Sequence, residues 1–185
     1  NRGVNYVKDT YLHLAWISLL KEDTANYTAY LNKVRNSGAS YAEKDKQALN
    51  EANAPMPHLV LLKARLLYDG GYLTRALEAL TDSKAEDFKT VKDKIEYAYR
   101  LARVNDDLGK EDAALTHYLM AFNIGKTQKY YYAAKSAVLM GNIYEKKRNL
   151  AKAKAYFNYA ISLKDHEYEN SIENEAKQGL KRIGG

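Results

Sequence analysis

A chain of 185 residues with 46% apolar and 28% charged residues has a globular rather than a disordered composition, and it is long enough to bury a core as one domain or one short repeat array. Ten glycines and only two prolines, with Ala and Leu leading the apolar residues, leave long stretches free of helix breakers, which predicts a mostly helical protein and excludes a β-sandwich or a collagen-like rod. The absence of Cys excludes disulfides, zinc fingers, iron–sulfur clusters and thiol catalysis in either redox compartment, and the net charge of +6 is spread among acids rather than clustered as nucleic-acid binding requires.

The first residues lead from Val4 directly into an amphipathic helix and do not read as a signal peptide. The longest apolar stretch, Leu12 to Leu20, is interrupted by His13 and Ser18 and falls short of the roughly 18 residues of a membrane span. A first helix is predicted over Tyr11–Leu20. After Glu22, Asp23 or Thr24 caps a second helix, Asn26–Asn36, with Tyr27, Tyr30, Leu31 and Val34 on one face. Asn36-Ser37-Gly38 stops that helix. The following segment, 37–56, reads as an insert with a short helix over Ala42–Asn53, ended by Pro55 and Pro57. Three further helix pairs follow over 57–82, 92–125 and 130–164. The chain closes with a helix over 169–183, for which Asn170 and Glu173 form a capping-box pattern. Its stripe of Ile172, Ala176, Leu180 and Ile183 suits a terminal cap: one apolar side for the last unit and one solvated side.

The helix pairs are repeats of one pattern. A small residue (Ala64, Ala102, Gly141) is followed about a turn later by Leu67, Asn105 or Tyr144. A short turn comes next, then a second helix with its own small residue (Ala76, Ala114, Ala153), and four positions on a large one (Leu80, Tyr118, Phe157). Small residues let paired helices approach closely and large ones plug the groove of the next, so pairs that cannot bury their apolar faces alone stack into one core. The segment 4–36 is a weaker first unit, with Tyr27 in place of the small Ala.

Met140-Gly141-Asn142-Ile143-Tyr144, Ala153, Tyr156-Phe157 and Ala160 resemble the tetratricopeptide repeat, whose leucine-glycine, tyrosine, alanine, aromatic and alanine positions they match. The units depart from that family in exceeding its usual length of about 34 residues and in lacking its closing proline. The resemblance implies an all-α, right-handed solenoid of about four helix pairs, with the inserted helix and the C-terminal capping helix as elaborations, in one domain over 1–185. The Tyr-x-Lys-Asp opening (Tyr6 to Asp9), the Glu-Lys-Asp-Lys-Gln-Ala-Leu-Asn-Glu-Ala insert and the closing Lys-Asp-His-Glu-Tyr-Glu-Asn-Ser-Ile are similar to the C-terminal part of repeat proteins of Bacteroidetes bacteria. This second likeness implies a longer parent protein, often exported to the cell envelope, and no particular reaction.

There is no GxxxxGKS phosphate loop and no HExxH. His13, His58, His117 and His166 lie in four separate segments, so no two-His metal site sits on one helix. The carboxylate pair Asp106-Asp107 stands at a helix end and reads as a solvated pair before a turn. The expectation is therefore a non-enzymatic chain with no metal and no cofactor.

Seventeen Tyr against three Phe is the compositional oddity, and Tyr gives a binding surface large contact area at low entropy cost. The family resemblance implies that the first helices of the pairs line a concave groove. It places there Leu12 and Trp16, then Leu61, Arg65 and Tyr68, then Tyr99, Arg103 and Asp106, then Val138, Asn142 and Glu145. Arg65 and Arg103, bordered by Tyr68 and Tyr99, would grip a carboxylate in bidentate fashion. The competing reading pairs both arginines with Asp69, Asp106 or Asp107. The chaperone-tail clamp of the family uses Lys and Asn, and only Asn142 matches it in kind. The expected function is a scaffold that binds a protein or a peptide, anionic or carboxylate-bearing. The alternative is a basic helical-repeat RNA-binding module, which Asp69, Asp106, Asp107 and Glu145 disfavour.

Overall fold

The structure, a computed structural model, describes residues 5–184. Among them are ten α-helices, one 3-10 turn and no strand. The helices are α1 (Val7–Leu20), α2 (Thr24–Asn36), α3 (Glu43–Asn53), α4 (Leu59–Asp69), α5 (Leu73–Thr81), α6 (Val91–Asp107), α7 (Glu111–Gly125), α8 (Tyr132–Lys146), α9 (Leu150–Ser162) and α10 (Glu169–Arg182). The fold is all-α, and no described helix is long and apolar enough to cross a membrane. Two compact units divide the chain, Asn1–Lys63 and Ala64–Gly185, with the division inside α4.

In the first unit α1, α2 and α3 pack on one another. Leu12, Ala15 and Leu19 of α1, Leu31 and Val34 of α2, and Ala48 and Ala52 of α3 are the apolar side chains buried where these helices pack. Three polar side chains tie the helix ends together. The Asp45 carboxylate is wholly buried and accepts from the backbone N–H groups of Tyr6 (2.6 Å), Lys8 (2.9 Å) and Asp9 (3.1 Å), so a residue of α3 caps the start of α1. The Lys8 ammonium donates to the Val34 carbonyl at 2.6 Å, at the C-terminal end of α2. Arg35 of α2 donates to the Ala52 carbonyl and, at 3.2 Å, to the Asn53 side chain, closing the end of α3. The segment read as an insert thus supplies and receives the caps of its neighbours.

In the second unit α6 packs on α7, α7 on α8, α8 on α9 and α9 on α10. Contacts also run from α5 to α6, from α6 to α8 and from α8 to α10. The small residues Ala76, Ala114 and Ala153 and the large residues Leu80, Tyr118 and Phe157 are all fully buried. Phe157 lies between two glycines, Gly141 of α8 and Gly179 of α10: a Cβ on either would come within 2.5 Å of its ring.

Four of the helix-to-helix turns share one backbone geometry. Glu22, Gly71, Gly109 and Arg148 are each left-handed, with φ of 60°, 79°, 74° and 60°. The next N–H in each turn reaches back to the carbonyl of Ser18, Leu67, Asn105 or Tyr144, at 2.8–2.9 Å. This is the Schellman arrangement, which satisfies carbonyls left over at a helix end. Glycine adopts it without strain at two positions, while Glu22 and Arg148 adopt it at a cost.

Helix α10 starts differently from the expectation. Asn170 is not its cap but lies inside the first turn. Tyr168, at φ 59°, is the preceding residue, and the Glu169 carboxylate accepts from the Asp165 N–H at 2.8 Å. Glu173 does not reach back to close a capping box, because Lys164 (2.5 Å) and Lys177 (2.6 Å) hold its carboxylate instead, which draws its pKa down to about 2.

Candidate functional site

Five of the eleven residues placed on the expected groove, Arg65, Tyr68, Tyr99, Arg103 and Asp106, lie in the second unit, on α4 and α6. Tyr68 stands one turn after Arg65 on α4; Tyr99 and Arg103 are four apart on α6, a spacing that puts them on one helix face. The Arg103 guanidinium donates through Nη1 to the Tyr99 hydroxyl (3.1 Å) and through Nη2 to the Tyr68 hydroxyl (2.5 Å). It also lies 5.0 Å from the Tyr68 ring centroid and 5.9 Å from that of Tyr99, within reach of cation–π attraction. The Tyr68 hydroxyl in turn donates to the Asp107 carboxylate. Arg65 is paired along its own helix with Asp69 at 3.8 Å.

Of the two alternatives for the arginines, each meets its own outcome. Arg65 reaches Asp69 directly. Arg103 reaches Asp107 only through the Tyr68 hydroxyl, and Asp106 is occupied by the Tyr118 hydroxyl, which donates to it at 3.1 Å. Guanidinium carries five N–H donors, and Arg103 spends two of them on tyrosine oxygens.

Burial and charge set the protonation states. Burial pushes the Tyr68 phenol up to about 12, helped by its bond to Asp107 and opposed by the Arg103 charge. Burial alone would pull Arg103 down, but the surrounding Tyr99, Tyr68 and Tyr118 oxygens outweigh it, and the group is held firmly charged. Burial raises the Asp106 carboxyl, while the Tyr118 hydroxyl works against the rise.

A second polar pair lies one turn earlier on α6. Arg100 donates to Glu96 from Nε (2.7 Å) and Nη2 (2.5 Å), with both side chains largely buried. Burial pushes Glu96 up, but the Arg100 charge and the hydrogen bonds from Arg100 and Tyr132 more than reverse it, leaving the pKa lowered. Tyr99, Tyr131 and Tyr132 form a ring cluster beside this pair, with centroids 5.9 Å, 5.2 Å and 4.3 Å apart, and Tyr168 adds an edge contact to Tyr131 at 5.4 Å. The face therefore carries three guanidiniums, Arg65, Arg100 and Arg103, against four carboxylates, Asp69, Glu96, Asp106 and Asp107.

The remaining expected residues lie elsewhere. Trp16 is 5% exposed in the first unit, its ring edge-on to His13 at 5.0 Å. Tyr99 is also 5% exposed, so little of its ring is open to a ligand. Asn142 accepts from Arg182 Nη2 at 3.0 Å, and Glu145 accepts from the same guanidinium at 2.8 Å, so both serve the docking of α10. Leu12, Leu61 and Val138 are buried core. Sequence reasoning passed over the Glu96–Arg100 pair and the Tyr118–Asp106 bond. The first was signalled by its i,i+4 spacing; the second joins α6 to α7 and carries no local signal.

No family model, no curated protein and no solved structure matches this chain. Among the described residues, no three His, Asp or Glu side chains are grouped as a metal site would need.

Proposed function

We propose that this chain is a tetratricopeptide-like helical-repeat scaffold that binds a protein or peptide segment and carries out no chemistry of its own. The recurrence of one helix–turn–helix geometry at Glu22, Gly71, Gly109 and Arg148 supports the repeat reading. A right-handed solenoid of these pairs is the arrangement the reading implies. The observation that carries the binding proposal is Arg103. Its guanidinium is half-buried, held in place by two tyrosine hydroxyls, and keeps three N–H donors beyond those bonds. A pre-oriented guanidinium between aromatic rings is suited to a carboxylate on an extended peptide. Arg65, Arg100, Arg103 and Lys92 stand here among four carboxylates, Asp69, Glu96, Asp106 and Asp107, which favours a protein partner over RNA, because binding a phosphate backbone requires an excess of positive charge.

The test is to screen the intact chain against an arrayed library of peptides with free C-terminal carboxylates and acidic side chains, and then to repeat the screen with Arg103→Gln. Retained peptides should bind at least about tenfold more weakly to the variant, with its thermal melting close to that of the parent. Capture of no peptide, or equal capture by the variant, removes the reading. Tight retention of homopolymeric RNA in place of peptides does so as well.

A further inference from the structure

The second helices of the last two pairs enclose a cleft that the peptide-binding proposal does not use. On α7 its wall is Leu119, Phe122 and Asn123, continuing into Lys126 and Thr127 just past the helix end; on α9 and its end it is Tyr156, Tyr159 and Leu163. The spacing of three, four and seven along each helix places each set on one face, so each stripe runs for about 10 Å. The volume is about 490 Å³, within the range of small-molecule sites.

Along α7 the apolar Leu119 and Phe122 come first and the polar Asn123, Lys126 and Thr127 follow toward and past the helix end, while α9 and its end supply Tyr156, Tyr159 and Leu163. The Tyr159 ring stands between, 5.6 Å from Phe122 and 6.0 Å from Tyr156, both at tilted angles. Tyr159 is 51% exposed and Leu119 42%, a large apolar surface for water to cover at one place. No carboxylate lines the cleft. Lys126 is its one charged lining residue, and among the described residues no ion pair engages its ammonium.

We infer that the α7–α9 cleft is a binding site for a small amphipathic anion, an apolar ring or chain ending in a carboxylate. The apolar body lies along Leu119, Phe122, Tyr156 and Tyr159, where burying it removes both its own surface and the exposed rings from water. The carboxylate meets Lys126, with the Asn123 amide and the Thr127 hydroxyl as further donors. The cation fixes the sign of the ligand charge, and its distance from the apolar end sets the length.

The experiment is calorimetric titration of the full chain with 6-phenylhexanoate and with 6-phenylhexylamine, which share one apolar body and differ in charge. The carboxylate should bind saturably with one site per chain, and the amine at least about tenfold more weakly. Lys126→Glu should weaken the carboxylate by about tenfold or more and narrow the gap to the amine. Tyr159→Ser should weaken both ligands together, because it removes the shared apolar wall. Both variants alter exposed side chains, and an unchanged melting curve keeps their result interpretable. Arg103→Gln, which tests the peptide proposal, should leave this titration unchanged. Equal binding of the two ligands, no saturable binding, or an unaffected Lys126→Glu variant overturns the inference. So does a chain that takes a peptide ending in phenylalanine but not the free phenyl acid.

Discussion

Phe157 offers the sharpest test of the packing. Its ring is fully buried and contacts Gly141 on α8 and Gly179 on α10 at positions where a Cβ would lie 2.5 Å from the nearest ring carbon. Ordinary carbon contacts need about 1 Å more than that. Gly141→Ala must therefore push the ring toward α10, and the glycine at 179 is what lets α10 lie against its other side. Overpacking of this kind costs about 1–3 kcal/mol. Against it stands a gain of about 1 kcal/mol, because Ala is the better helix former. The expected net effect is destabilisation by up to about 2 kcal/mol, and the same holds for Gly179→Ala. The double substitution should cost more than the sum, since each change removes the space into which the ring would escape, with a coupling of about 0.5–3 kcal/mol. Phe157→Leu shortens the plug and should reverse the sign: in that background Gly141→Ala should stabilise by about the 1 kcal/mol of helix propensity. Urea denaturation followed by far-ultraviolet circular dichroism gives all the free energies required. Gly141→Ala that stabilises the parent chain, or that has the same effect with Phe and with Leu at 157, would refute the reasoning.

Asp45→Ala should destabilise the first unit by about 2–4 kcal/mol, because a lost helix cap costs about 1 kcal/mol and buried donors left without an acceptor cost more; Trp16, the single tryptophan, lies in that unit and reports its unfolding by fluorescence, and a loss below about 1 kcal/mol would contradict the capping role. Gly109→Ala should cost about 1 kcal/mol through backbone strain alone, since no atom lies within 4 Å of the added Cβ, whereas Arg148→Gly should be neutral or stabilising; thermal melts of the two variants moving in the same direction would show that the turns are not equivalent. Burial raises the phenols of Tyr118, Tyr131 and Tyr132, and that of Tyr68 to about 12, so the folded state holds these protons more tightly than the unfolded chain; the stability they contribute is complete below about pH 10 and lost as pH rises from there through 12. Phenolate absorbance should accordingly show a late group of tyrosines ionising together with the loss of helical dichroism, and full ionisation with the helices intact would be inconsistent with it.

The helices themselves were legible in the sequence because helix formation is a local matter. Breaker residues, caps and apolar spacing act within a few positions, so Asp23 does cap α2, accepting from the Asn26 N–H at 3.0 Å, Asn36-Ser37-Gly38 does end it, and the short helix before Pro55 lies over Glu43–Asn53. The alternation of small and large residues likewise announced which side chains would be buried, since volume is a property of the residue itself. Contacts between segments distant in sequence could not be read in this way. Asp45 carries no local signal within the segment read as an insert, and only the approach of α3 to the start of α1 gives its carboxylate three N–H partners. Nothing in the sequence around Gly179 announces its role, which comes from the placement of α10 against Phe157. Arg103 was recognised as a candidate from its place in the repeat, but whether it met a carboxylate or a tyrosine depended on a side chain 35 residues away. Residue type and spacing determine the secondary structure and the inward faces; the pairing of polar groups is decided by which backbones come within 3 Å of which side chains, and that is a property of the packed helices.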